Sequence, residues 1–184
     1  MRKLFIARIL PAFILLIASP VWADLEPTNR SLSPTRINEK ISIDGFLDEG
    51  VWSLGIPVSD FLQTDPDEGE PGTKRTKVTV LYDDEALYIG FLCLDSEPDK
   101  IVKILSKRDD WTSTDKVQVE IDSYHDHLTA YFFEVNAAGV QRDGFRSSDF
   151  NYDMSWNSVW EGEAQTGPYG WSAEFKIPFS CGVP

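Results

Sequence analysis

The sequence predicts an all-β protein, an antiparallel β-sandwich built of hairpins. Three pairs of segments alternate apolar and polar residues, and a short stretch of turn-forming residues separates the two members of each pair. The segments are rich in aromatic and β-branched side chains, which suit a pleated and half-buried surface. Hairpins at this spacing are typical of sandwiches, and 184 residues suffice for one domain with a core.

The N-terminus resembles a secretory signal peptide. Arg2 and Lys3 precede the apolar run LFIARILPAFILLIAS, and the tripeptide VWA ends at Ala23, where cleavage is expected. The rival interpretation is an uncleaved membrane anchor. Arg8 and Pro11 interrupt the run and leave it short for a membrane span. We therefore expect export, to the periplasm, the outer membrane or the extracellular space.

The charge of the chain excludes one class of partner. Removal of residues 1–23 leaves 14 of the 17 Lys and Arg residues against 30 Asp and Glu residues, a net charge of −16. A surface of that sign repels phosphate backbones, so a nucleic acid partner is not expected.

The segments before the first hairpin are mostly polar. Residues 24–40 contain two prolines and are expected to form a flexible leader, so the sandwich is assigned to 41–184. ISIDGFLDEGVWSLG predicts a turn at Asp44-Gly45 and a short amphipathic piece through Trp52. The loop QTDPDEGEPGTKR, residues 63–75, is rich in acidic residues, proline and glycine and is expected to be solvated.

Six strands are predicted in three hairpins: 77–83 with 87–95, 116–122 with 128–136, and 158–166 with 171–178. SEPDKIVKIL, residues 96–105, is the one stretch expected to form a helical turn or two. The sequence stops directly after the last strand, so the sandwich is expected to be incomplete at its C-terminus.

The middle hairpin has two chemically different faces. Val117, Val119 and Ile121 share one face of its first strand, because successive side chains point to opposite sides. A turn centred on Asp126 would place Gln118 opposite Glu134 and Lys116 opposite Asn136. The second face then carries amides, an acid and the ring of Phe132, and a tryptophan precedes the hairpin.

That second face is a candidate carbohydrate-binding site made of Trp111, Gln118, Glu134 and Asn136. A sugar offers C–H groups on its faces and hydroxyls on its rim, and an aromatic plane with planar polar groups complements both. The polar residues DDWTST around Trp111 favour an exposed ring. The alternative is a half-exposed sheet whose polar side chains simply face water.

Several motifs in order resemble the family 9 carbohydrate-binding module, a β-sandwich related to the DOMON domains. They are IDGFLDEGVW, VTVLYDDEALYIGFLCLD, the tryptophan before DKVQVEID, and GWSAEFKIPFS. With FEVNAAGVQRDG, the chain is most similar to the version at the N-terminus of bacterial outer-membrane barrel proteins. The resemblance covers residues 41–180 and implies a module that binds an oligosaccharide or polysaccharide.

The resemblance also assigns roles to individual residues. Trp111 matches a tryptophan that stacks on sugar, and Asn136 matches a polar position. Gln118 stands where sugar-binding members have an acid, and Glu134 where they have a basic residue. Structural calcium is implied as well. The resemblance further implies attachment to a glycoside hydrolase or an outer-membrane barrel in carbohydrate catabolism. Any catalysis would then be carried out by that partner domain.

Other clusters carry weaker signals. Three groups of acidic residues could offer oxygens to calcium, but none has EF-hand spacing: 44, 48 and 49; 65, 67 and 68; and 83 to 85. His125 and His127 flank Asp126 and lack a third ligand for zinc, which favours a polar turn. Glu120 and Glu134 are near enough for a glycosidase pair, but nothing indicates the apolar pocket such a pair needs.

The neighbouring residues indicate whether each cysteine and each remaining tryptophan is buried. Cys93 and Cys181 could form a disulfide in an exported chain, although the apolar run around Cys93 favours a buried thiol. Trp160 and Trp171 are expected in the core, and Trp156 is expected to be freer. Haem binding, as in some DOMON domains, would need axial ligands that this chain offers only in loops.

Overall fold

The computed structural model describes residues 31–148 and 151–181. The predicted signal peptide and residues 24–30 lie outside these ranges. Strand bounds within them are β1 Thr35–Arg36, β2 Thr76–Tyr82, β3 Ala86–Leu94, β4 Lys116–Ile121, β5 Thr129–Asn136, β6 Gln141–Ser147, β7 Tyr152–Asp153, β8 Glu161–Gly167 and β9 Gly170–Pro178. Three short 3-10 helices span Gly50–Leu54, Pro98–Lys100 and Phe179–Cys181.

The strands form two sheets, and the prediction of an all-β sandwich is confirmed. The five-stranded sheet has the order β1-β2-β3-β9-β8, and the four-stranded sheet has the order β4-β5-β6-β7. All neighbouring strands are antiparallel except the short β1, which runs parallel to β2. Among the described residues, no helix is both long enough and apolar enough to cross a membrane.

The six predicted strands are present, with small shifts at their ends. The largest shift is in the third hairpin, where β8 begins at Glu161 instead of residue 158. Within residues 96–105, where one or two helical turns were expected, the structure has the three-residue 3-10 helix Pro98–Lys100. The predicted turn at Asp44-Gly45 forms a bend, with Gly45 at a φ of 89° that favours glycine.

Three strands were not predicted: β1, β6 and the two-residue β7. β6 has the sequence QRDGFRS, in which a glycine and three charged residues hide any alternation of apolar side chains. β1 lies in the segment assigned to the flexible leader, where the next residue, Ile37, is 3% exposed. This part of the predicted leader is therefore part of the fold, because burial of Ile37 and pairing with β2 stabilise it.

Aromatic side chains join the two sheets. Phe133 of β5 contacts Trp160, with ring centroids 5.2 Å apart, and Trp160 contacts Phe175 of β9 at 5.4 Å. Trp160 and Trp171 are 4% and 6% exposed, which confirms their predicted place in the core. Trp156 is partly buried against Phe133. Edge-to-face pairs of this kind add about 0.5–1.5 kcal/mol each beyond the area they bury.

A buried carboxylate connects the N-terminal segment to the five-stranded sheet. Glu174 of β9 is fully buried, and its oxygens accept hydrogen bonds from the backbone N–H groups of Asp44 and Gly45 at 3.0 and 2.9 Å. The indole N–H of Trp52 donates a third bond at 3.0 Å. Burial, with a contribution from the charge of Glu49, raises the pKa of Glu174 to about 7, although the three hydrogen bonds oppose this.

We expect Glu174 to make the free energy of unfolding depend on pH. Its pKa is higher in the folded chain than the ordinary 4.5, so the folded state binds the proton more tightly. Between about pH 4.5 and 7, stability should therefore fall as pH rises, by on the order of 3 kcal/mol from this group. Urea denaturation at pH 5, 6, 7 and 8 measures the slope.

The variant Glu174→Gln cannot titrate and should show a flatter slope over the same range. Glu68→Gln, in the exposed loop 63–75, is the matched control and should keep the wild-type slope. Equal slopes in wild type and Glu174→Gln would contradict the assignment, whatever the absolute stability of the variant.

Candidate functional site

The strand register places the predicted site on the outer face of the four-stranded sheet. Lys116 lies opposite Asn136 and Gln118 lies opposite Glu134, as the sequence predicted. Glu134 in turn lies opposite Arg142 of β6. The apolar residues Val117, Val119 and Ile121 of β4 pack against the core on the inner face. A one-residue shift of register would exchange the two faces, so burial of the apolar set determines the position of the polar set.

Glu134 binds two cations. Its side chain is only 7% exposed, and Oε2 lies 2.8 Å from Lys116 Nζ. Arg142 Nη1 lies 3.2 Å from Oε1 and 3.4 Å from Oε2. A carboxylate as buried as this one is stabilised only when it is paired, and the two cations supply the pairing. Glu134 therefore fixes the positions of Lys116 and Arg142 through its two ion pairs.

Trp111 is exposed and lies against the same two cations. The residue is 72% exposed, which confirms the expectation of an accessible ring. Lys116 Nζ lies 4.0 Å from the centroid of the ring and the guanidinium carbon of Arg142 lies 4.8 Å from it. Both distances are within the range of cation–π attraction, worth about 0.5–1 kcal/mol at an exposed position. The cations hold the indole in place while most of its surface faces solvent.

The loop that carries Trp111 is tied to the sheet on both sides of the ring. Before it, the backbone N–H of Asp109 donates to Gln141 O at 3.2 Å. After it, the backbone of Asp115 pairs with Val102 and accepts a bond from Ala137 at 2.8 Å. An exposed ring on a tethered loop loses little conformational freedom when a ligand packs on it.

Asn136 lies at the end of the same outer row as Glu134, but its side chain is buried. It is 4% exposed, and its Oδ1 accepts hydrogen bonds from the backbone N–H groups of Ala138 and Val140 at 2.9 and 3.0 Å. Its Nδ2 donates to Ile104 O at 3.0 Å. Asn136 therefore supports the β5–β6 turn and the loop near Trp111, in contrast to the direct ligand contact predicted from the sequence.

Gln118 is exposed and begins a second polar row. Its Nε2 donates to Glu120 Oε1 at 2.9 Å, and Glu120 Oε2 accepts from Arg146 Nε at 2.8 Å. The amide oxygen of Gln118 has no protein donor among the hydrogen bonds of the described residues. Glu120 and Glu134 are both engaged by cations, an arrangement unlike the acid and base pair of a glycosidase.

Phe132 lies on the outer face yet is fully buried, so it offers no platform to a ligand. Its ring lies over Gly144 of the neighbouring strand, where an added Cβ would approach a ring carbon to 2.6 Å. Tyr152 covers it from β7, with ring centroids 5.5 Å apart. Trp111, at 72% exposed, is thus a more accessible ring than Phe132 or Tyr152, which is 43% exposed.

Sequence reasoning missed Arg142 and Arg146, which complete the outer face. Both belong to β6, one of the strands that were not predicted. The alternation of Arg142, Gly144 and Arg146 was the available signal, but it becomes meaningful only when the strand is placed beside β5. Lys116 was positioned by the register and was not identified as a site residue.

The acidic clusters that could offer oxygens to calcium have other partners where the structure describes their contacts. No group of three or more His, Cys, Asp or Glu side chains in residues 31–148 and 151–181 is arranged to hold a metal ion. In the predicted clusters, Asp44 Oδ1 accepts the N–H of Phe46 and Asp83 Oδ1 accepts those of Glu85 and Ala86. These carboxylates stabilise turns, and no role for calcium is derived from them.

The remaining predicted clusters have structural explanations. His125 and His127 have positive φ values of 53° and 57° in the β4–β5 turn, where Asp126 accepts two backbone hydrogen bonds. Cys93 and Cys181 are both free thiols. Burial raises the pKa of Cys93 to about 11, which keeps it protonated and unreactive.

Comparisons with solved structures show the fold. A family 9 carbohydrate-binding module from Caldicellulosiruptor kristjanssonii, solved with cellotriose, matches with a TM-score of 0.53 and 16% identity over 78% of this chain and 65% of that chain. Its glucose complex matches with a TM-score of 0.53 and 17% identity, over 79% of this chain and 70% of that one. The matched region thus spans about two thirds of the modules' length.

A protein from Bacteroides uniformis, to which carbohydrate binding is attributed, has a similar fold. It matches with a TM-score of 0.60 and 15% identity, over 82% of this chain and 73% of that chain. No protein-family profile and no curated protein matches the sequence. The chain therefore has a fold like that of family 9 carbohydrate-binding modules.

Truncation of Trp111 should leave the fold intact. Because the ring is 72% exposed, Trp111→Ala should lower the free energy of unfolding by about 1 kcal/mol or less, chiefly through the lost cation–π contacts. Phe133→Ala, which removes a fully buried ring from the same sheet, should cost about 3–5 kcal/mol. Urea denaturation of both variants tests the contrast, and a loss of 3 kcal/mol in Trp111→Ala would show that the indole is part of the core.

Proposed function

We propose that the chain is a non-catalytic carbohydrate-binding domain that holds a saccharide against Trp111. One observation carries the proposal: an exposed indole lies on a tethered loop beside planar polar groups on the outer face of a sheet. Such a surface suits a ligand with flat C–H faces and a rim of hydroxyls. It suits a nucleic acid poorly, because an extended row of phosphates would also meet the many acidic residues of the chain.

The roles of the site residues follow from their contacts. Trp111 supplies the stacking plane. Gln118, the exposed amide, and Lys116, whose ammonium has N–H groups beyond the one that meets Glu134, supply hydrogen bonds to hydroxyls. Glu134 and Asn136 position these groups from behind, since both side chains are buried and bonded within the protein.

The similar folds support the choice of first ligands. The two structures of the Caldicellulosiruptor module contain cellotriose and glucose. Gluco-oligosaccharides are therefore the natural starting set for this chain. The proposal is for binding alone, because Glu120 and Glu134 are both engaged by cations and neither is placed to exchange a proton with a ligand.

A wider context belongs to the same proposal. The predicted signal peptide indicates export, and the resemblance indicates attachment to a glycoside hydrolase or an outer-membrane barrel in carbohydrate catabolism. The domain would then keep its partner close to polysaccharide, which raises the effective concentration of substrate.

A second candidate function is a structural domain of an outer-membrane protein that binds no sugar. The specific observation in its favour is that Glu134 and Asn136, two of the four predicted contacts, are satisfied by internal partners. Under this alternative the same polar face would remain hydrated, and Trp111 would serve only as a cover for Lys116 and Arg142.

Binding of oligosaccharide should depend on Trp111. Titration calorimetry with cellotriose and a panel of xylo- and manno-oligosaccharides should detect at least one ligand, and that ligand should change the tryptophan fluorescence of the wild type. Trp111→Ala should weaken binding by about tenfold or more, since an aromatic contact at a binding site is worth 1–3 kcal/mol by analogy with base stacking.

The matched control is Tyr124→Ala, which removes another exposed aromatic ring, 69% exposed, at the far end of the same hairpin. It should leave affinity unchanged. Absence of binding to every member of the panel, in a protein shown to be folded, would favour the structural alternative.

Export predicts a defined mature chain. When the full sequence is produced in a bacterial host with a secretion pathway, the recovered protein should begin at Asp24, because the signal peptide is cleaved after Ala23. Intact mass spectrometry measures this directly. A membrane-bound product that retains residues 1–23 would show instead that the apolar run is an anchor.

A further inference from the structure

Two positive charges share one carboxylate at the candidate site. Lys116 and Arg142 both pair with Glu134, so the three side chains together carry one net positive charge. Lys116 is 27% exposed, and 2.8 Å separates its Nζ from a single carboxylate oxygen, although an ammonium group has three N–H donors. The cluster therefore has more positive charge and more donors than Glu134 can satisfy.

Arg142 has the larger deficit of acceptors. Nη1 donates to both oxygens of Glu134, whereas the sulfur of Met154, at 3.9 Å, is the hydrogen-bond partner of Nη2 in the described part of the chain. Nε is buried and has no hydrogen-bond partner among the described residues. A buried donor without an acceptor is destabilising, so an oxygen supplied by a ligand at the Nε–Nη2 edge of the guanidinium would satisfy it.

The surrounding acidic residues are directed elsewhere. Glu120 is balanced by Arg146 in the next row of the sheet. In the loop that carries the indole, the carboxylates of Asp110 and Asp115 accept hydrogen bonds from backbone N–H groups of the loop. The excess positive charge of the cluster thus lies against the indole ring of Trp111.

We propose that the saccharide held at Trp111 carries an anionic substituent, a carboxylate or a sulfate, that binds Lys116 and Arg142. This inference rests on the proposed function. Carboxylate and sulfate oxygens match the guanidinium fork and form charge-assisted hydrogen bonds, which are about twice as strong as neutral ones. Met154 has a flexible thioether side chain that can move away from Nη2 to admit an oxygen.

The overall negative charge of the chain does not prevent such binding. The net charge of −13 acts mainly over distances longer than the Debye length, about 8 Å at physiological salt, and is screened there. An anionic group in contact with Lys116 and Arg142 lies well within that length. Local attraction therefore determines affinity at the site.

The test compares acidic oligosaccharides with neutral forms of the same ring. The probes are a trimer of galacturonate and its methyl ester, a trimer of mannuronate and its methyl ester, and a sulfated gluco-oligosaccharide with its unsulfated parent. At least one charged member should bind about tenfold or more tightly than its neutral counterpart, as expected for one or two charge-assisted bonds. Comparison of the uronate pairs with the sulfate pair shows whether the site prefers a carboxylate or a sulfate.

Variants that remove one positive charge test whether the preference for charged ligands depends on Lys116 and Arg142. Lys116→Gln and Arg142→Gln should each reduce the ratio of charged to neutral affinity by about tenfold, while binding of the neutral form changes less. The matched control is Lys176→Gln, which removes a lysine from a lysine–glutamate pair on the five-stranded sheet and should leave the ratio unchanged.

The outcomes separate this inference from the proposed function. Equal or weaker binding of every charged member, with Trp111-dependent binding of a neutral one, would overturn the inference and leave the proposed function in place. A charge preference that survives both variants would overturn it as well. Failure of all six probes and of the neutral panel to bind would overturn both proposals.

Discussion

Contact between aromatic rings of the two sheets is the constraint on which the rest of the structure depends. Phe133 belongs to the four-stranded sheet, Phe175 belongs to the five-stranded sheet, and Trp160 contacts both rings. Because Phe133 must face inward, every second residue of β5 must face outward. The outer row that includes Glu134 and Asn136 is thus positioned by packing on the opposite face.

Buried carboxylates perform different tasks in the two sheets. Glu174 accepts backbone and indole N–H groups and so fastens the segment from Asp44 to Trp52 to β9. Glu134 instead receives two cations and presents them beside an exposed ring. Both carboxylates are costly to bury, and each is stabilised by partners that order an adjacent loop or strand. Only the second arrangement leaves charge and donors available to a ligand.

The charged groups of the proposed site are more buried than the ion pairs of an ordinary solvated surface. Surface ion pairs contribute little, typically about 0–1 kcal/mol, and need no burial. Here the shared carboxylate is 7% exposed, one cation is 13% exposed, and one guanidinium nitrogen lacks a partner among the described residues. An arrangement with an unsatisfied donor beside an accessible indole is more typical of a binding site than of a solvated sheet.

The sequence alone determined the sandwich class, the six hairpin strands and the pairing of Gln118 with Glu134, because alternation with period two and turn residues are local properties. It also indicated that Trp111 is exposed, through its polar neighbours. Only the tertiary structure decided that Asn136 is buried among internal hydrogen-bond partners and that Arg142 joins the site. β6 lacks an alternation of apolar side chains, and its arginines gain partners only when the strand pairs with β5 across the turn at 137–140. The contacts among Lys116, Glu134 and Arg142 join three strands, and the pattern within one strand does not show how it pairs with its neighbours.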